Sequence, residues 1–346
     1  MNGPIDLSFM VVSMNVVPSG RRVLAHGRSV IGILSMTVLL TGCSELPGKQ
    51  PEPPGPAPHP PVSGRCIVIS NEHDVVLENA EIGPCEGPGI TVYRSKNVTI
   101  QNVTVRNTTG VGIFIKDAQK VIVKGSRFVN NSSGVYAVNS KNVTVAHNTF
   151  SNVKGPKPRG QFVQFNGVSG ESRISCNIGR NEPGKSNPED AISLFKSAGT
   201  DQSPILVDHN VIIGGGPSTS GGGIMLGDAG GAHITASDNQ VVDPGQYGIA
   251  VSGGTDMVIE RNVVLAKSQS FTNVGIYVWN QSKGACGDVR VKGNRVNWLN
   301  RHGKRNSWWD GGNCGQIGVD GNDFQTQIPS ENEIRKLPSY CGPGSS

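Results

Sequence analysis

The chain has 346 residues, of which 47 are glycine, 16% are charged and only 5% are aromatic, with a formal net charge of +5. Gly and Asn at this density would break helices everywhere, so a long helical protein is excluded; a 36% hydrophobic share is too low for a membrane bundle, and the regular scatter of Val and Ile argues against disorder. The charge is mild and no Lys/Arg run marks a nucleic-acid groove, which leaves an all-β chain with many tight turns and no nucleic-acid partner.

Near the N-terminus Arg21, Arg22 and Arg28 precede an apolar stretch from Val30 to Leu40, which then meets Thr41 and Gly42. Basic, then apolar, then small is the order of a signal peptide, and the stretch is too short for a permanent transmembrane helix. Leu40-Thr41-Gly42-Cys43 resembles the bacterial lipobox, in which the cysteine is acylated and becomes the mature N-terminus. That resemblance implies removal of residues 1–42, a lipid on Cys43, and export to a bacterial membrane on the periplasmic or surface side of the outer membrane. Residues 43–63 then form a tether whose prolines favour an extended, semi-rigid chain, holding the following domain clear of the bilayer.

Six cysteines remain: Cys66, Cys85, Cys176, Cys286, Cys314 and Cys341. An even number in an exported chain fits disulfides. Cys66–Cys85 and Cys286–Cys314 are the local pairs, and Cys176–Cys341 follows by elimination. No pair has the C-x-x-C spacing of a zinc ribbon.

From residue 65 onward the chain repeats itself. VTIQNVTV (98–105), VTVAHNTF (143–150), ILVDHNVI (205–212) and VRVKGNRV (289–296) each place an Asn after a short alternating strand. Aligned this way, one column reads Asn79, Asn102, Ser126, Asn148, Asn177, Asn210, Asn239, Asn262, Asn294 and Asn322. Such a period with short strands signals a β-solenoid. Asn suits the column because it accepts a left-handed bend and can bond from coil to coil.

A second column confirms the register: GITV (89–92), GIFI (112–115), GVYA (134–137), GIML (223–226), GIAV (248–251) and GIYV (275–278), with AISL (191–194) in the same place. Period-2 alternation points Ile and Val inward and the residues between them outward. The pattern resembles the right-handed parallel β-helix of pectate-lyase-like proteins, and implies one all-β, monomeric domain of about ten coils over residues 64–328, with a tail at 329–346.

Three coils between Asn148 and Asn239 carry insertions at 151–160, 178–190 and 212–222, all entering the Gly-Ile-type strand. They are expected to stack on one side and wall a groove, and insertions on one face of a solenoid commonly carry function. The outward column there reads Thr91, Phe114, Tyr136, Gln164, Ser193, Met225, Ala250 and Tyr277, and the next reads Tyr93, Lys116, Val138, Asn166, Phe195, Gly227, Ser252 and Trp279. A turn column follows with Gly167, Lys196 and Asp228, while Glu189, Asp190 and Tyr247 stand at the entrances of their coils. Basic residues in the flanking loops (Lys157, Arg159, Arg180, Lys185) would concentrate an anionic chain, so the expected partner is an acidic polysaccharide.

Glu189-Asp190-Ala191-Ile192-Ser193-Leu194-Phe195-Lys196-Ser197, GGGIMLGDAGG (221–231) and NVGIYVWNQ (273–281) are similar to segments of alginate-lyase-like β-helical polysaccharide lyases. That likeness implies β-elimination on a uronate, which needs a base, a proton donor, and charge neutralisation of the carboxylate. Lys196 is the candidate base and Tyr247 the candidate acid. Gln164, Asn166 or Arg159 would neutralise the carboxylate; alternatively Glu189, Asp190 and Asp228 would hold Ca²⁺ for that purpose, although no EF-hand-like spacing supports it. Tyr277 and Trp279 could stack on sugar rings.

Plainer readings stand beside these. Lys196 could pair with Asp228 or Glu189, and Glu189-Asp190 could cap a loop. Asp190 and Asp228 could serve a glycoside hydrolase, a uronate epimerase would use nearly the same residues, and a non-catalytic polysaccharide-binding β-helix would need none of them. Trp298, Trp308 and Trp309 are expected to cap the open C-terminal end of the stack.

Overall fold

The structure is a computed structural model that describes residues 64–327 and Cys341. The signal peptide, Cys43, the tether and all of the tail except Cys341 lie outside the described residues.

One coil shows how the sequence becomes the fold. Ile90–Tyr93, Lys96–Gln101 and Thr104–Arg106 are three short strands separated by corners. Ile90, Val92, Val98, Ile100 and Val105 are fully buried, so the alternation sends every second side chain into the lumen. The next coil stacks on it in parallel, pairing Ile90 with Ile113, Val98 with Val121, and Val105 with Phe128. Ten strands from Ile67–Ser70 to Trp308–Gly312 form the first face, giving the ten coils expected and a rod roughly 50 Å long.

The Gly-Ile column holds throughout, with Ile90, Ile113, Val135, Val163, Ile192, Ile224, Ile249 and Ile276 stacked in register. Its glycines have a packing reason. A Cβ on Gly112 would meet Phe128 Cδ1 at 2.7 Å, and one on Gly134 would meet Phe150 Cε1 at 2.4 Å. The missing side chains let rings from the third face fill the lumen, where Phe128 and Phe150 stack at 4.8 Å. One coil later the arrangement reverses. Phe162 takes the glycine's place and stacks on Phe150 at 5.5 Å, while Gly179 opposite vacates the ring position.

The Asn column needs a correction of one residue in its first coils. The left-handed corner is built by Asn79, Asn102, Gly125, His147, Cys176, His209, Asp238, Arg261, Gly293 and Gly321, all at φ of 53–63°. The ladder occupies the following position, so Asn79 and Asn102 are corner residues and Val103 and Ser126 precede the true ladder. It runs from Asn148 through Asn177, Asn210, Asn239, Asn262 and Asn294 to Asn322, each side-chain carbonyl accepting from the amide of the one before at 2.9–3.1 Å. Corner and ladder are two tasks, and Asn suits both.

All three disulfides pair as expected: Cys66–Cys85, Cys286–Cys314 and Cys176–Cys341.

Candidate functional site

The three insertions do stack. Asn187 N–H donates to the Val153 carbonyl at 3.0 Å, Lys154 Nζ to the Lys185 carbonyl at 2.5 Å, and Lys157 Nζ to Ser220 Oγ at 3.2 Å. Together they wall one rim of the first face, and the outward column lies in register beneath it, from Thr91 through Gln164 and Ser193 to Tyr277.

Two groups of polar side chains result. The first lies on the floor. Arg159 reaches out of its loop, sets its guanidinium 4.3 Å over the Tyr136 ring, and donates to Gln164 Oε1 at 3.1 Å. Asn166 Nδ2 donates to Tyr136 Oη at 3.0 Å. Arg159, Tyr136, Gln164 and Asn166 are all half-buried, so the group is ordered yet open to a ligand. Lys196 follows Phe195, the register partner of Asn166, at a left-handed corner with φ of 47°. It is exposed, and its Nζ stands 5.2 Å over the Phe195 ring. Among the described residues no ion pair holds it, so the expected alternative of a Lys196 pair with Asp228 or Glu189 is not realised.

The second group lies at the rim. Tyr247 enters its coil two coils beyond Asp190, with Gly222 between them. Its ring crosses that glycine and donates its hydroxyl hydrogen to Asp190 Oδ1, which also accepts from Gly222 N–H at 3.2 Å. Burial pushes the Asp190 carboxyl up to about 7 against the lowering effect of the Tyr247 hydrogen bond, helped by the charges of Glu189 and Asp228. Tyr247 has no exposed surface, and burial first, then the Asp190 charge, raises its phenol well above the ordinary range. Its hydrogen is given to Asp190 and no part of the residue is exposed, which corrects the expectation that it donates to a substrate. Glu189 is held as a loop cap by Ser218 Oγ at 2.7 Å and Ser220 Oγ at 2.6 Å, with Lys157 Nζ at 3.9 Å.

Asp228 is displaced from its expected column. Gly227 takes the left-handed corner at φ of 65°, and a bulge pairs Asp228 with Phe195 in place of Lys196. Burial raises the Asp228 carboxyl, partly offset by the Ala229 backbone hydrogen bond. The donor set does not suit the expected Ca²⁺: hydroxyl and N–H hydrogens already occupy the Glu189 and Asp190 oxygens that a cation would need. Among the described residues no cluster of three His, Cys, Asp or Glu side chains suits a metal. Lys196 and Asp190 also stand apart, since the six residue steps from one to the other span ~20 Å of extended strand.

Farther along the same face, Tyr277 is only 6% exposed and packs edge-on against Tyr247 at 5.3 Å, so it serves the floor's packing and presents no ring to a ligand. Trp279 is exposed as expected. The tryptophan cap divides: Trp298 is fully buried in the lumen and Trp308 stacks on Phe324 at 6.2 Å, but Trp309 pairs with Tyr277 and faces outward.

The family described as a right handed beta helix region matches residues 61–200. The chain is a right-handed parallel β-helix. No curated protein matches it in sequence. Among solved structures it is similar to PfbA, a surface adhesin of Streptococcus pneumoniae, at 15% identity and a TM-score of 0.51, covering 74% of this β-helix chain and 60% of the adhesin. It is similar as well to an alginate lyase from Paenibacillus sp. str. FPU-7, at 15% identity and a TM-score of 0.47 over 72% of this chain and 76% of the lyase. A third is an exopolygalacturonase from Thermotoga maritima, at 13% identity and a TM-score of 0.47 over 68% of this chain and 55% of that one. This β-helix thus spans 60% of the adhesin's length, and the likenesses speak to the fold alone.

Proposed function

We propose that the protein is an exported lyase, held at a bacterial membrane through Cys43, that cleaves a uronate-containing polysaccharide by β-elimination in this groove. Three disulfides support export. The observation that carries the reaction is the placement of Arg159: its guanidinium lies beside two amides and a phenol on the open floor, a receptor for a planar carboxylate.

A carboxylate bound there by Arg159, Gln164 and Asn166 has its charge neutralised, which acidifies the hydrogen on the adjacent ring carbon. Lys196, in its neutral amine form, takes that proton and becomes the ammonium. The freed electron pair forms a carbon–carbon double bond, and the bond from the next ring carbon to the glycosidic oxygen breaks. Tyr136, which the outward column named without a role, replaces Tyr247 as the donor to the leaving oxygen. Asp190 and Tyr247 then shape the rim.

The test is ultraviolet absorbance of the unsaturated product on alginate, pectate, hyaluronan and glucuronan. A rise with the wild-type protein that disappears in Lys196→Ala and falls steeply in Tyr136→Phe, both still folded, supports elimination. No rise on any of the four overturns it. One observation favours a second reading: Asp190 and Asp228 both hold protons more tightly than ordinary carboxyls, as a glycoside hydrolase acid must. Release of reducing ends without ultraviolet absorbance would establish that reading in its place.

A further inference from the structure

Trp279 and Trp309 are two of the few large apolar side chains left in solvent, at 38% and 42% exposed, and they stand side by side with ring centroids 5.7 Å apart. Their position is built into the fold. Trp309 continues the outward column one coil past Tyr277, whose ring supports it at 6.1 Å. Gly311 makes room for Trp279, because a Cβ there would meet Trp279 Cβ at 2.5 Å. Tyr277 is fixed from the other side by Gln281 Nε2 at 3.0 Å. Exposed apolar rings held in place from beneath mark a binding surface.

The occupant follows from continuity. Both indoles lie on the same face as the Arg159 group: Trp309 continues the Gln164 column five coils along, ~24 Å away, and Trp279 stands in the neighbouring Asn166 column, one coil nearer. A linear chain bound at Arg159 and running along the rod axis passes over them. A pyranose ring offers an apolar C–H face with hydroxyls at its edge, and an exposed indole pair offers a flat apolar surface to that face.

We propose that Trp279 and Trp309 form a sugar-stacking platform, a remote subsite that grips the polysaccharide several rings away from the reacting bond and selects for long chains. The choice of a uronate polymer rests on the function proposed above; the platform itself does not require elimination. The experiment is a fluorescence titration of the Lys196→Ala protein, which binds without turnover, with uronate polymers and with short oligomers of the same sugars. Polymer is expected to change tryptophan emission saturably, Trp309→Ala to weaken polymer binding on the order of tenfold, and Trp309→Phe to keep much of it. In the active protein, Trp309→Ala lowers the ratio of kcat/KM on long chains to that on short ones. Polymer binding equal to wild type in both Trp279→Ala and Trp309→Ala, or no binding of any polymer, overturns the platform. Elimination without platform binding would leave the lyase standing alone, and platform binding without elimination would leave the subsite standing alone.

Discussion

Tyr247 lies across the bare backbone of Gly222 and donates its hydroxyl hydrogen to Asp190 two coils away. The three residues form one unit, because the ring can cross only where the intervening coil has no side chain. A Cβ on Gly222 would meet Tyr247 Cδ1 and Cε1 at 2.7 Å and the Tyr247 carbonyl at 2.5 Å. Gly222→Ala is therefore expected to lose about 1–3 kcal/mol, the usual cost of overfilling a packed site. Denaturant unfolding measures it, and Tyr247→Phe, which keeps the ring but frees Asp190 of its donor, should cost less.

The raised Asp190 carboxyl gives a pH signature. Its folded pKa of about 7 exceeds the ordinary 3.8, so between those values the folded state holds a proton that the unfolded state has lost. Stability from this group is full below the lower value, declines as pH rises toward 7, and is gone above it. The thermal midpoint should drop between about pH 4 and pH 7, and Asp190→Asn should flatten that drop. A profile unchanged by the substitution would show that Asp190 is not the responsible group.

The asparagine ladder predicts a position-dependent cost. Asn210 accepts from both the backbone and side-chain N–H of Asn177 and donates to Asn239 and to the Ile174 carbonyl, all buried. Asn210→Ala strands these partners, at about 1–3 kcal/mol for each buried group left unpaired. Asn322→Ala removes similar bonds to Asn294 at a half-buried site, where water can replace them, and should cost much less. Equal losses in the two variants would contradict the burial argument.

The swap of Phe162 for a column glycine supplies a fourth stability test. Phe162 fills lumen space between Phe150 and the bare Gly179, and is 2% exposed. Phe162→Ala should cost about 3–5 kcal/mol in denaturant unfolding. Placing Leu at Gly179 in that variant should recover part of the loss, since the vacancy and the opposite wall coincide.

The fold was legible in the sequence because its signals are local and repeated: the Gly-Ile alternation and the corner residues recur coil after coil. The site was legible only in part. Arg159, Gln164 and Asn166 were placed by column and charge, and the structure brings them together. Asp228 moved because Gly227 absorbed a corner, a bulge that spacing alone does not show. Tyr247 was read only as standing at the entrance of its coil, and whether its hydroxyl reaches a substrate or a neighbour depends on what lies two coils away. Trp309 had a usable signal. Once WWDGG is aligned to GIYV, Trp308 takes the inward position and Trp309 the outward one. The intervening insertion concealed that alignment.

Rods of stacked coils are vulnerable at their ends, where the terminal coil has a neighbour on one side only. Here Cys341 is bonded to Cys176, next to Asn177, five rungs before Asn322 on the ladder. The last coils therefore belong to a closed covalent ring of 165 residues' separation, for which chain entropy alone gives about 5 kcal/mol of stabilisation. While that disulfide stands, peeling from the C-terminal end releases no free chain end: any coil of the half that bears Asp228, Tyr247 and the indoles opens only as a loop still tied to Cys176.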